Sequence, residues 1–111
     1  MELTRHEDGD ITILTVNGDL VIGDAETTFK RTVTQLLEEG RVNLLVDMSA
    51  VRFLDSSGLG ALVRALTQSQ KEGGQTKLLN AGPQVRKLLQ MTKLDSVFEI
   101  HDDMEAAVSS F

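Results

Sequence analysis

The stretch from Val42 to Gln70 does most to limit what this chain can fold into. Val42 to Met48 is apolar except for Asn43 and Asp47, the length and character of a buried strand. Leu59 to Gln70 instead repeats apolar residues at helical spacing, with Leu59, Leu62, Val63 and Leu66 inward. Arg64, Gln68 and Lys71 fall on the outer side. Between the two runs lies Asp55-Ser56-Ser57-Gly58-Leu59-Gly60. A carboxylate, two adjacent hydroxyls and two glycines thus sit where a helix leaves backbone N–H groups free. A group there can be read by a partner or modified by an enzyme.

The flanks repeat this strand-then-helix logic. Residues 2 to 7 can form a first strand, and Asp8-Gly9-Asp10 signals a hairpin turn. Ile11 to Val16 is β-rich, with Ile11, Ile13, Leu14 and Val16 as candidates for the core. Asp24 is a good N-cap for a helix from Ala25 to about Glu39, with the stripe Ala25, Phe29, Val33, Leu36 and Leu37 and Gly40 closing it. Gly73-Gly74 ends the central helix, and Thr76 to Asn80 reads as a strand. Pro83 suits the first turn of a helix running to about Met91, with Val85, Leu88 and Leu89 inward. Val97 to Ile100 reads as a last strand, and Asp102-Asp103-Met104-Glu105 has capping-box spacing before a helix through Val108. The predicted order is β-β-α-β-α-β-α-β-α over one domain, residues 1–111: an α/β fold with a mixed, mostly parallel sheet. In such sheets, sites lie at the carboxyl ends of the strands. Asn17 to Asp24, Ser49 to Gly58 and Asn80 to Pro83 are therefore expected on one edge.

Composition removes several function classes. The chain has no Cys, which excludes disulfides, thiolate metal sites and a Cys nucleophile. It has no Trp or Tyr, so the core is aliphatic. Net charge is −6, and Met1 to Glu26 carries seven acids (Glu2, Glu7, Asp8, Asp10, Asp19, Asp24, Glu26) against Arg5. That argues against nucleic-acid binding, which needs cations, and is compatible with a basic protein partner or with plain solubility. No basic-then-apolar leader opens the sequence, and no apolar run nears the roughly 20 residues of a membrane span. A cytoplasmic protein without membrane contact is expected.

Catalytic chemistry has little support. Ser56 lies at a strand-to-helix turn, but the only histidines, His6 and His101, flank the first and last turns. Gly58-Leu59-Gly60 is not followed by the lysine of a phosphate loop. Asp19, Asp24, Asp47 and Asp55 have no metal-ligand spacing, so neither metal nor cofactor is expected. Taken alone, Asp55, Ser56 or Ser57 is an ordinary helix cap, at about 1 kcal/mol.

The stretch Asp47-Met48-Ser49-Ala50-Val51-Arg52-Phe53-Leu54-Asp55-Ser56-Ser57-Gly58-Leu59-Gly60-Ala61-Leu62 resembles the strand-loop-helix signature of the STAS domain. Within that family it is most similar to the bacterial anti-sigma-factor antagonists. Gly18-Asp19-Leu20 stands at the family's G-E-L position, and Gly73-Gly74 precedes the next strand. The resemblance implies a switch, not a catalyst. Its partner would be an anti-sigma factor that is also a serine kinase, with a serine phosphatase resetting the switch. It implies Ser56 as the phosphoacceptor, with Ser57 as second choice. Asp19, Val21, Ile22, Asp24, Asp55, Ser57, Gly58 and Leu59 are the expected partner-binding positions. Val21 stands where the antagonists commonly carry an acid. Val21 and Ile22 then either add an apolar patch beside Ser56 or tuck into the core. A homodimer remains open, as does a second role: a STAS scaffold, never phosphorylated, or a nucleotide-sensing subunit of a larger signalling or transport assembly.

Overall fold

The computed structural model describes every residue, Met1–Phe111. A single five-stranded sheet runs β1-β2-β3-β4-β5 in space. Its strands are β1 (Glu2–Asp8), β2 (Ile11–Asn17), β3 (Asn43–Asp47), β4 (Gln75–Leu79) and β5 (Ile100–His101). β1 pairs antiparallel with β2 through the expected hairpin, and β2 to β5 run parallel. Spatial order follows chain order, so the three crossovers progress in one direction across the sheet. Helices α1 (Asp24–Glu38), α2 (Ser56–Lys71) and α3 (Pro83–Met91) therefore share one face, as the mixed α/β reading anticipates. α4 (Met104–Ser109) alone covers the other.

Both faces are thus apolar. Leu14, Val16, Leu44, Val46 and Leu78 meet Phe29, Val33, Leu36, Leu62 and Leu66 beneath the three helices. Ile11, Ile13, Leu45 and Leu79 meet Ala107 on the α4 side. That is why Ile11 to Leu14 shows no alternation: a strand covered on both faces needs none. α4 is short, and a buried lysine reinforces it. The Lys77 ammonium donates to the Ser110 carbonyl (2.6 Å) and hydroxyl (2.9 Å), lies 3.1 Å from the Glu99 carboxylate and sits 4.7 Å over the Phe111 ring. Nothing in the periodicity marks Lys77 as buried, because a strand position alone does not reveal a polar lid above it.

Three boundaries depart from the sequence reading. α1 is capped by Gly23, at φ 108°, not by Asp24, which lies exposed in the first turn. The β-like run Val97 to Ile100 is mostly not strand. Leu94–Ser96 forms a 3-10 turn, and the Val97 and Phe98 N–H groups both donate to the Leu94 carbonyl, so pairing with β4 begins only at Glu99. At α4, Asp103 rather than Asp102 is the cap and accepts from the Ala106 N–H at 2.9 Å, while the Asp102 carboxylate pairs with Arg86. Along α2 the inward face is Leu59, Ala61, Leu62, Ala65 and Leu66, with Val63 only half-buried. Gly40, at φ 82°, follows α1 as expected.

The start of β4 depends on close backbone approach. A Cβ on Gly74 would lie 1.9 Å from the Val42 carbonyl oxygen, which accepts the Gln75 N–H. Gly74→Ala should force the β3 and β4 entrances apart and lower stability by about 1–3 kcal/mol. Chemical denaturation measures this; an unchanged midpoint would show that the contact yields freely.

Candidate functional site

The carboxyl ends of β2, β3 and β4 bring the three expected loops to one edge. They enclose an open depression of about 480 Å³ lined by Asp19, Ser49, Val51, Arg52, Phe53 and the start of α3 at Gly82 to Val85. The strand-to-helix turn before α2 forms one wall of this edge. Asp55 is its N-cap, with an extended backbone, and its Oδ1 accepts the Gly58 N–H at 2.8 Å. The bland expectation of a helix cap is therefore met in full. Ser56 is the first residue of α2 and is exposed; Ser57 is half-buried. Asp55 is the only acid at this helix start, because the first turn of α2 contains none.

The cap does a second job. The other Asp55 oxygen, Oδ2, accepts the Ile22 N–H at 2.9 Å, from a residue 33 positions earlier. Asp19 reciprocates: its Oδ1 accepts the N–H groups of Arg52 (3.3 Å) and Phe53 (3.1 Å). Between them the Leu20 N–H donates to the Phe53 carbonyl at 3.1 Å, and Leu20 and Leu54 form an isolated parallel bridge. The two loops are thus laced together, with a carboxylate from each holding backbone of the other.

Gly58 makes this lacing possible. A Cβ there would sit 2.0 Å from the Leu20 carbonyl oxygen and 2.9 Å from a Leu54 methyl. Gly58 is buried, as is Leu59, so neither lies on the exposed surface and both support it from beneath. The expectation that Gly58 admits a partner is corrected: what approaches Gly58 is the chain's own β2–α1 loop. Val21 and Ile22 take different courses, Val21 half-buried and Ile22 71% exposed. Asp24 is exposed on the α1 side.

Two residues of this surface were absent from the expected partner-binding positions. Phe53 is 61% exposed, and Arg52 beside it is also exposed. A signal existed: a lone phenylalanine in a loop whose neighbours are Arg52 and the Leu54-Asp55 cap reads as surface as readily as core. Neither histidine serves Ser56. His101 bonds Glu99 at 2.9 Å, and His6 lies on edge strand β1 opposite Ile13.

The two backbone N–H groups, Ile22 first and Gly58 second, hold the Asp55 carboxyl below the ordinary aspartate range, since both favour the charged form. A carboxyl so depressed contributes stability that is complete above its unfolded pKa, about 3.9, and is lost as pH falls through its lower folded value. The melting temperature of the wild type should therefore exceed that of Asp55→Asn at neutral pH, and the gap should close as pH drops below about 3.9. A gap independent of pH would show that the Asp55 charge is not what the two N–H groups hold.

The STAS domain family model matches residues 2–107. A Thermotoga neapolitana protein assigned as an anti-sigma factor antagonist is 30% identical over 99 residues, 89% of this chain and 88% of that one. The anti-sigma-B factor antagonist of Bacillus subtilis is 32% identical over 73 residues, 66% of each chain. Among solved structures, the crystal structure of a Thermotoga maritima protein assigned the same role superposes with a TM-score of 0.92 at 28% identity, covering 97% of this chain and 92% of that one. The family match over residues 2–107 and the superposition over nearly the full chain agree: the protein belongs to the STAS domain family, in its anti-sigma-factor-antagonist branch of non-enzymatic binding modules.

Proposed function

We propose that this protein binds an anti-sigma factor in the cytoplasm through the edge around Ser56, and that phosphorylation of Ser56 by that partner's serine kinase activity releases it. A serine phosphatase resets the switch. The observation that carries the reading is the placement of Ser56: exposed, first in α2, with no acid in that helix's first turn. Added phosphate brings about −1.5 to −2 charges. The positive end of the helix dipole tolerates negative charge there, so the fold need not open to accept it. The consequence falls on the docked surface, where Asp19 and Asp24 are already exposed. Like-charge and steric conflict in such an interface can cost several kcal/mol, and each ~1.4 kcal/mol is tenfold in affinity. The relatives named as anti-sigma factor antagonists support the partner class.

No helix of the protein is long and apolar enough to cross a membrane. Ser57 is the less suited acceptor, being half-buried where Ser56 is exposed.

Ser56→Asp should weaken binding to the purified cognate anti-sigma factor by at least about tenfold, in line with a like-charge conflict, while shifting the melting temperature little. Isothermal titration and a thermal melt on the same preparation measure both. Unchanged affinity would remove Ser56 from the interface, and gross unfolding would contradict the tolerance of the turn for charge.

A further inference from the structure

We infer that Ile22 and Phe53 are paired apolar anchors of the partner interface, with Asp55 and Asp19 as the positioning residues that hold them out. This deepens the reading of the Ser56 edge and rests on it. The observation is the crossed pattern of the two carboxylates. Asp55 belongs to the β3–α2 loop and fixes the backbone of Ile22 in the β2–α1 loop. Asp19 belongs to the β2–α1 loop and fixes the backbone of Phe53 in the β3–α2 loop. Each carboxylate thus grips the N–H of the large apolar residue that the other loop presents to water. These two side chains are 71% and 61% exposed, although fully buried Leu20 and nearly buried Leu54 lie one or two residues away.

A loop free to relax could fold Ile22 or Phe53 over its apolar neighbours; burying such a side chain is worth about 1.5–3 kcal/mol. The charged hydrogen bonds oppose that relaxation. Beyond Leu20, the bond from Ile22 to Asp55 is the tie between the loop apex and the α2 turn; the other bonds of the apex, Glu26 N–H to the Val21 carbonyl and Thr27 N–H to the Gly23 carbonyl, lead only into α1. The anchors are therefore presented in fixed positions, which reduces the ordering cost that docking would otherwise incur.

The occupant that fits is a protein surface with two apolar sockets around a basic group. Aliphatic and aromatic knobs call for sockets, and exposed Asp19 and Asp24 lie on the same pair of loops, on a chain of net charge −6. Arg52, exposed beside Phe53, adds a cation to the same pair of loops and a point for discrimination among partners.

The test has a partner-free arm and a binding arm. In amide hydrogen exchange by NMR, Asp55→Asn should speed exchange at Ile22 and leave Phe53 unchanged, and Asp19→Asn should do the reverse. Equal effects at both sites, or none, overturn the positioning roles. In titrations with the purified cognate anti-sigma factor, Ile22→Ser and Phe53→Ser should each weaken binding about tenfold or more, as truncated anchors do. Met91→Ser, which removes an equally exposed apolar residue (72%) at the far end of α3, should stay within about twofold, as a side chain outside an interface should. Both anchor variants binding like wild type overturns the inference even if Ser56→Asp weakens binding. Anchor variants that fail to bind while Ser56→Asp binds normally leave the anchors in place and overturn the phosphoswitch. Wild-type self-association that Ile22→Ser abolishes, seen by sedimentation, assigns the patch to a second copy and overturns the partner named here.

Discussion

The Asp55 carboxylate is the interaction on which the working edge of this molecule depends. One oxygen ends a helix and the other ends a loop 33 residues earlier. A helix start must satisfy its free N–H groups somewhere, and an aspartate cap is an ordinary solution. Here the same carboxylate also orders the loop that flanks the exposed serine. The local requirement of α2 and the global requirement of a shaped surface are met by one side chain. Gly58 enforces the arrangement, because only a residue without Cβ lets the Leu20 carbonyl come that close.

This arrangement explains how charge can be added at Ser56 without threatening the fold. Leu54 and Leu59 on either side of it belong to the core, but Ser56 itself is exposed, so that packing does not depend on its hydroxyl. The helix end favours negative charge, so under the proposed switch the energetic effect of a phosphate would be passed outward to a docked partner. The proposed switch would change the surface of the protein rather than its fold. That is consistent with a short, rigid turn between a strand and a helix, where little backbone is free to move.

Much of the fold was legible in the sequence because hydrophobic period and turn chemistry agreed along most of the chain. The central strand, the helical stripe of α2 and Pro83 at the start of α3 each carried two independent signals. The errors fell where only one signal existed. Val97 to Ile100 has strand-like residues, but the Leu94 carbonyl claims the Val97 and Phe98 amides first. Asp24 has the residue type of a cap, but Gly23 supplies the backbone angle. At the site, a helix cap among Asp55, Ser56 and Ser57 was readable from turn chemistry; that Asp55 takes it and leaves Ser56 exposed emerges only from the structure. The crossed bonds from Asp19 and Asp55 were not, because they join residues 33 and 34 apart and no local pattern records which loop will meet which. Phe53 was missed because a lone loop phenylalanine beside Arg52 reads as core as readily as surface, and its bond to Asp19 spans 34 residues.

Ser56, exposed at the start of α2 where the helix end favours negative charge, is the residue at which we propose this protein is switched. The most direct measurement is phosphate mapping by mass spectrometry after incubation with ATP and a kinase-type anti-sigma factor. One phosphate per chain is expected, on Ser56. Absence of phosphate, or phosphate confined to Ser57 or any other residue, would contradict it.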